Sequence, residues 1–130
     1  MTRIKRSIDL PNLGHKAPIP LAARVGNIVC SSGISGKDAA TGQLPADVAT
    51  QAANAFNTLR AVLAAAGATL DDVVRLTVTL RDDSVRDAVN MHWLSCFPDP
   101  ADRPARHVVV HELQHGMVLQ LELLAVVPGD

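Results

Sequence analysis

The chain has 130 residues, of which 48% are hydrophobic and 2% are aromatic, and its formal net charge is −1. This length and composition predict one globular domain, spanning residues 1–130, with enough apolar side chains for an ample core. A chain this close to neutral and this poor in aromatic rings lacks the basic surface and the stacking platforms that nucleic acids require. Nucleic acid is therefore not an expected partner.

The sequence pattern gives no sign of membrane insertion or export. No apolar run approaches the roughly 20 residues of a membrane-spanning helix. The first residues, which include Arg3, Lys5 and Arg6, contain no apolar core of a signal peptide. We therefore expect a cytoplasmic protein that has no membrane partner.

A β-hairpin is predicted in the first third of the chain. Residues 21–25 and 28–32 are strand-forming runs, and Gly26 and Asn27 between them accept the positive φ angles of a tight turn. The glycine-rich residues 33–45 then predict a loop.

A helix and a third strand follow this loop. Asp47 is a helix-capping residue type, and apolar residues recur with the 3.6-residue helical period as far as Ala66, with Gly67 directly after them. Residues 73–81 instead alternate between apolar and polar side chains, which predicts a strand. The apolar face of that strand would consist of Val74, Leu76, Val78 and Leu80.

The rest of the chain adds one helix and two strands. Ser84 and Asp87 have the spacing of a capping box, so a second helix is predicted to run from there to about Phe97. Residues 105–111 and 117–127 have the pattern of the last two strands. The predicted order is ββαβαββ, an α+β sandwich in which two helices cover one face of a mostly antiparallel sheet.

The uncovered face of that sheet predicts an oligomer. Leu119 and its alternate neighbours in the last strand would lie under the helices. The residues that face the other way are too apolar for a solvated surface: Val118, Gln120, Glu122, Leu124 and Val126. Large exposed apolar areas mark interfaces, so a homo-oligomer that buries this face is expected.

One short motif suggests a zinc enzyme. His111-Glu112-Leu113-Gln114-His115 matches H-E-x-x-H, the signature of zinc metalloproteases. The motif requires a helix, whereas three valines before it and Gly116 after it favour a strand followed by a turn. A catalytic zinc also needs a third protein ligand, and Glu122 lies too close along the same stretch of chain. A chance match is the better interpretation, and no metal is expected.

Several short segments together carry a resemblance to a known family. They are Arg24-Val25-Gly26-Asn27, Ser31-Ser32-Gly33, Thr41-Gly42-Gln43-Leu44-Pro45-Ala46-Asp47-Val48, Leu63-Ala64-Ala65-Ala66-Gly67, Leu70-Asp71-Asp72-Val73-Val74, Ala88-Val89-Asn90 and Arg103-Pro104-Ala105-Arg106. In this order and spacing, the sequence resembles the RidA/YjgF family of reactive-intermediate deaminases. The resemblance implies a chorismate-mutase-like fold and a homotrimer.

The resemblance also implies a reaction that needs no cofactor. Family members bind small 2-imino or 2-enamino acids in a pocket between neighbouring subunits, where water attacks the C=N carbon and releases ammonia and a 2-oxo acid. The arginine of the family's Pro-Ala-Arg motif, here Arg106, holds the substrate carboxylate. A guanidinium suits this role because its planar fork of donors binds a carboxylate in bidentate fashion. Without the resemblance, a surface arginine in a salt bridge is an equally good interpretation.

Three further positions match substrate-binding positions of the family. Ser32 and Gly33 would end the second strand at the pocket, where the missing Cβ of glycine allows a ligand to approach the backbone. Asn90 lies on the second helix and matches a family position near the site. A hydrogen bond on the helix surface is the alternative role for Asn90.

The sequence departs from the family at three pocket positions. Ile19 stands where active members of the best-known subgroup carry a tyrosine over the substrate, and Val108 replaces a frequent cysteine. Gln120 replaces the glutamate that positions or activates the attacking water. A neutral amide can orient water but cannot accept its proton.

Other residues are candidates for the missing base. Glu122 shares the strand face of Gln120, two residues further along. His107, His111 and His115 follow Arg106 closely in sequence, and histidine titrates near neutral pH. Alternation places His107 and His111 on the strand face opposite Arg106, which weakens their case.

Two functions compete on these grounds. The first is hydrolytic deamination of a small imine or enamine carboxylate, with Arg106, Gln120 and Glu122 as catalytic candidates. The altered residues Gln120 and Ile19 suggest a pathway-specific substrate. The second is a trimeric binding protein that senses or buffers a carboxylate metabolite through Arg106 without turnover.

Overall fold

The fold is described by a computed structural model that covers residues 5–129. Its elements are β1 (Ser7–Ile8), β2 (Ala22–Val25), β3 (Ile28–Ser31), α1 (Val48–Ala65), β4 (Val73–Leu80), α2 (Arg86–Cys96), β5 (Ala105–Val110) and β6 (Leu119–Val126). The predicted ββαβαββ order and the α+β, chorismate-mutase-like fold class are confirmed. The two-residue strand β1, which precedes this order, was not predicted.

The strands form one mixed sheet in the order β1-β2-β3-β6-β4-β5. Neighbouring strands are antiparallel except for β4 and β5, which are parallel and are connected through α2. A parallel pair requires such a crossover because its two strands must start at the same edge of the sheet. The last strand of the chain, β6, therefore lies in the middle of the sheet.

The core lies between the two helices and one face of the sheet. Alternate residues of β6 are buried there, and they are Leu119, Leu121, Leu123 and Ala125. Phe56 and Leu59 of α1 are fully buried against this face. The predicted inward face of the last strand is thus confirmed, except that Val118 is buried instead of facing outward. Val118 precedes β6, and its N–H donates to the side chain of Gln51, 3.0 Å away.

The hairpin and the first helix also follow the sequence signals. Gly26, the first residue of the turn between β2 and β3, has a φ of 59°, as predicted, whereas the φ of Asn27 is not positive. Asp47 caps α1 by accepting a hydrogen bond from the Thr50 N–H at 2.9 Å. Gly67 after the helix has a φ of 77°, which a residue with a Cβ rarely adopts.

The start of the second helix differs from the prediction. Ser84 and Asp87 form no capping box, because a short 3₁₀ turn, Asp83–Val85, precedes α2. Asp82 caps this turn by accepting from the Ser84 N–H at 2.9 Å, and the Ser84 hydroxyl donates to the same carboxylate. These bonds with Ser84, and then the neighbouring Arg81, lower the pKa of Asp82.

A bulge changes the inner face of β4. Pairing with β6 shifts its register between Val73 and Arg75. As a result Val73 is buried, and Val74, predicted to face inward, is 49% exposed. From Leu76 onward the predicted alternation holds.

One buried polar side chain joins three parts of the chain. Gln51 of α1 is fully buried. Its amide nitrogen donates to the Pro45 carbonyl at 2.7 Å and to the Gly116 carbonyl at 3.0 Å, while its oxygen accepts from Val118. Gln51 thereby fixes the turn before β6 against the first helix.

The helices are short or amphipathic. In residues 5–129, neither helix has the length and apolar character needed to span a bilayer.

Candidate functional site

A cavity of about 720 Å³ lies beside the first residues of β6. Its apolar lining includes Leu13, Leu21, Leu44 and Met117. Gly33 and Gln120, both predicted as site residues, line it as well. The cavity therefore forms where the segment after β3 passes next to β6.

The close passage of these segments explains the glycine at position 33. Ile34 and Leu121 exchange backbone hydrogen bonds of 2.7 and 2.9 Å, which hold the segment against β6. A Cβ added to Gly33 would lie 1.4 Å from the Gln120 Nε2 atom. Any side chain at this position would displace the Gln120 amide from the cavity wall.

Basic side chains form another part of the cavity lining. They are His15, Lys16, Lys37 and His115. No aspartate or glutamate lines the cavity among residues 5–129. Of these four, only His115 was considered from the sequence, because His15 and Lys16 are neighbours in one loop, Lys37 lies in another, and no motif connects them.

Arg106 lies on the opposite side of the sheet. In β5 it pairs with Leu76 of β4, whose side chain is fully buried under the helices. The Arg106 guanidinium carbon is 5.1 Å from the ring centre of Trp93 on α2. Partial burial, and then the positive charge of Arg86, lower the pKa of Arg106.

The Arg106 guanidinium has no carboxylate partner in the part of the chain that the structure describes. The ion pairs there join Arg81 to Asp82 and Arg86 to Asp83. A half-buried guanidinium that stacks on an indole ring and lacks a counterion is well suited to bind an anion. The surface salt bridge considered as an alternative for Arg106 is not present among residues 5–129.

Arg106 and Gln120 cannot meet within one chain. Gln120 lies between two buried leucines of β6 and pairs with Thr79, so it faces away from the helices. Arg106 faces the helices and packs on Trp93. A site that uses both residues therefore requires Arg106 from one subunit and Gln120 from another.

The other predicted site residues lie outside the cavity lining. Ser32 is half-buried, and its N–H donates to the Leu21 carbonyl at 2.8 Å. Ile19 is 48% exposed, and Asn90 is half-buried on α2. Val108 lies on the Arg106 side of β5 and packs partly against the core.

Glu122 and His107, two of the residues considered as alternative bases, are also separated from Arg106. Glu122 is exposed and pairs with Thr77 on the open face of the sheet. His107 pairs with the same threonine from β5, so the predicted separation of His107 from Arg106 is confirmed. Arg75 lies next to His107, with 3.3 Å between its Nη2 atom and the His107 Nδ1 atom.

The H-E-x-x-H segment does not form the helix of a zinc protease. Strand β5 ends at Val110, and residues 114–116 form a turn, as predicted. The His111 Nδ1 atom lies 2.6 Å from the Glu112 carbonyl oxygen. Within residues 5–129, no group of three His, Cys, Asp or Glu side chains could hold a metal ion.

Comparison with known proteins adds an independent line of evidence. Residues 16–127 match the protein family described as endoribonuclease L-PSP. The chain is 34% identical over 104 residues to the 2-iminobutanoate/2-iminopropanoate deaminase of Escherichia coli, which covers 78% of this chain and 81% of the relative. It is also 34% identical over 112 residues to a RutC family protein of Haemophilus influenzae, with 84% and 86% covered.

A solved structure shows the same fold. The crystal structure of RidA from an Antarctic Psychrobacter species superposes with a TM-score of 0.84 and 30% sequence identity. The superposition covers 96% of this chain and 100% of that one. The fold and the overall sequence similarity thus indicate the same family as the short matching segments between Arg24 and Arg106.

Proposed function

Because the chain belongs to the RidA/YjgF family, we propose that it hydrolyses 2-imino and 2-enamino carboxylic acids to 2-oxo acids and ammonia. The observation that carries this proposal is the Arg106 guanidinium, which is half-buried, stacked on Trp93 and without a counterion among residues 5–129. The similarity to a protein named for 2-iminobutanoate and 2-iminopropanoate deamination supports the choice of substrate class.

The reaction requires that the imino acid and a water molecule be held in the right orientation and that the proton lost by the water be accepted. Arg106 would hold the carboxylate of the iminium acid through two charge-assisted hydrogen bonds. Water adds to the C=N carbon to give a carbinolamine. Loss of ammonia from that carbon then leaves the 2-oxo acid. Gln120, next to the Gly33 backbone, would orient the attacking water. The proton that this water loses would pass to solvent or to the departing nitrogen.

The same proposal includes a homotrimer with pockets between subunits. Large apolar side chains remain exposed on the sheet surface and its edges, and they include Val25, Ile28 and Val126, each about half exposed. Burying such a surface against another copy would remove it from water, and the shared site requires that the subunit contact place Arg106 of one subunit near Gln120 of the next. Sedimentation equilibrium at micromolar concentration should therefore give a trimer, and a monomer would contradict the shared site.

A second candidate function follows from Gln120. Without a carboxylate at this position, the trimer would bind a carboxylate metabolite without turning it over. Losing a general base typically lowers a rate by about 10²–10⁴-fold. Ammonia release from a panel of freshly generated imines, corrected for spontaneous hydrolysis, distinguishes the enzyme from the binding protein.

Gln120→Glu tests which residue limits turnover. If the missing carboxylate is limiting, this variant should raise kcat/KM on simple 2-imino acids by up to about 100-fold, because a base is restored beside the water. The residue change leaves the side-chain length unchanged, so the contact with Gly33 should persist. Single-turnover ammonia release is the appropriate measurement.

The matched control is Gln114→Glu, which makes the same chemical change at an exposed position outside the cavity lining. This control should leave the rate unchanged. A lower rate for Gln120→Glu would mean that the amide itself belongs to a different mechanism. An unchanged rate would remove Gln120 from the site.

A further inference from the structure

We infer that the substrate of this protein carries a second anionic group, a carboxylate or a phosphate, which binds among Lys16, Lys37 and His115 of the cavity lining. This inference rests on the proposed function, since Arg106 of a neighbouring subunit is taken to hold the first carboxylate. It narrows the substrate class from small imino acids in general to dianionic ones.

The charge of the cavity exceeds what a monocarboxylate needs. Lys16 and Lys37 line it together with two histidines, and no carboxylate does so among residues 5–129. The nearby Asp38 is used within its own turn, where it accepts from the Ala40 and Thr41 N–H groups at 2.8 and 3.2 Å. Glu122 is exposed two residues beyond Gln120 and does not line the cavity.

The two lysines belong to loops that are joined at the cavity. Lys37, in the loop after β3, donates through Nζ to the Gly14 carbonyl at 3.4 Å. Gly14 lies two residues before Lys16, so this bond holds the segment that contains Lys16 next to the loop that contains Lys37. An anion bound between these two segments would be attracted by the positive charges of both lysines.

The backbone at His115 gives an independent indication. His115 has a φ of 61° and is followed by Gly116 at 81°, so two consecutive residues are left-handed. A residue with a Cβ in this region costs about 1–3 kcal/mol, and such strain is concentrated at binding sites. Glycine or asparagine would relieve it, yet the chain places an imidazole here, on the cavity wall.

The turn that carries His115 is held in place from the core side. The buried Gln51 accepts from the Val118 N–H and donates to the Gly116 carbonyl, each at 3.0 Å. His115, the strained residue, is therefore followed directly by a residue, Gly116, whose carbonyl is hydrogen-bonded to the first helix. The backbone that places His115 at the cavity lining is thereby held against α1.

The test compares two imines that differ only in the second anion. Alanine and aspartate, each treated with an amino-acid oxidase, give 2-iminopropanoate and 2-iminosuccinate immediately before the assay. The wild-type protein should have a kcat/KM at least about tenfold higher for 2-iminosuccinate, the ratio expected of one charge-assisted contact. Adding inorganic phosphate should inhibit competitively if phosphate also fits.

The variant for this test is Lys16→Gln combined with His115→Asn. Asparagine tolerates the left-handed backbone, so the second change removes the imidazole without adding strain. The selectivity ratio for the two imines should fall by about tenfold or more. The matched control is Lys5→Gln, an exposed lysine outside the cavity lining, which should leave the ratio unchanged.

Binding provides a readout that does not depend on turnover. Calorimetry with 2-oxobutanoate and 2-oxoglutarate should show tighter binding of the dicarboxylate, and the double variant should lose that difference. Equal affinity for both, or a ratio that the variant leaves unchanged, would overturn the second anion site while leaving the deaminase proposal intact. Failure to bind or turn over either class of ligand would contradict the proposed function itself.

Discussion

Arg106→Ala is expected to lower kcat/KM for 2-imino acids by roughly 10²–10⁴-fold, because the substrate carboxylate loses its bidentate, charge-assisted partner. Binding of the product 2-oxobutanoate should weaken in parallel. The half-buried position of Arg106 over Trp93 strengthens this expectation. In the alanine variant, water at this site would interact with the substrate carboxylate more weakly than the guanidinium does. Arg106→Lys should recover little of the loss, because an ammonium group does not form the planar fork.

Two controls separate this effect from damage to the fold. Arg106→Ala also removes the stacking on Trp93, which contributes about 0.5–1 kcal/mol at a partly exposed site. Thermal unfolding should therefore show only a modest change, and Arg60→Ala, on the exposed side of α1, should leave activity unaltered. Wild-type turnover by a well-folded Arg106→Ala variant would remove this arginine from the site.

Gln51→Leu is expected to lower the free energy of unfolding by about 3–5 kcal/mol, the second large effect. The leucine fills a similar volume but leaves the Val118 N–H and the carbonyls of Pro45 and Gly116 without a partner. An unpaired backbone group costs about 1–3 kcal/mol when it is buried, as the Val118 N–H is, and less when it is partly exposed, as the two carbonyls are. Urea denaturation of both proteins measures the difference in the free energy of unfolding, provided that the dependence of this free energy on urea concentration (the m-value) is the same for both.

A local measurement shows whether the expected mechanism causes that loss. Amide hydrogen exchange at Val118 should accelerate in Gln51→Leu, because its acceptor is gone. The control is Asn57→Leu, an amide-to-leucine change on the exposed side of the same helix, whose effect should stay within about 0.5 kcal/mol. A Gln51→Leu protein as stable as wild type would mean that the turn before β6 does not depend on these hydrogen bonds.

The sequence predicted those features that depend on local periodicity. The 3.6-residue pattern of α1, ended by Gly67, was sufficient because a helix forms from contacts between near neighbours. The same holds for the hairpin at Gly26 and for the inward leucines of β6. Errors occurred where pairing between distant segments decides the backbone, as in the bulge that exposes Val74.

The start of α2 shows the same limit at shorter range. Ser84 has the residue type and spacing of a helix cap, but both its N–H and its hydroxyl donate to the neighbouring Asp82, so its side chain is engaged in the preceding turn. The helix therefore begins only after an extra turn. Residue types identify possible caps, and the local geometry decides which of them is used.

The candidate site was predictable in part. Gly33 and Gln120 line the cavity as the family resemblance suggested. Strand alternation does not reveal which face of β5 meets the helices, because that depends on its register with β4. The separation of Arg106 from Gln120 by the sheet was therefore not foreseen. The basic residues at 16 and 37 were missed because only the fold brings their loops together.

Mixing two inactive variants shows whether Arg106 and Gln120 of different subunits form one site. Arg106→Ala removes the carboxylate anchor, and Gln120→Trp fills the opposite wall of the cavity. Trimers assembled at random from equal amounts of the two chains contain unaltered Arg106 facing unaltered Gln120 at about a quarter of their sites.

The whole population of co-expressed trimers, purified without separating mixed trimers from homotrimers, should therefore recover about a quarter of the wild-type ammonia release, or of the 2-oxobutanoate binding capacity, while each variant alone shows almost none. Mixing the two homotrimers without exchange of subunits should recover nothing. If the mixed trimers are as inactive as the parents, Arg106 and Gln120 do not act together across a subunit boundary, and the account of the site is contradicted.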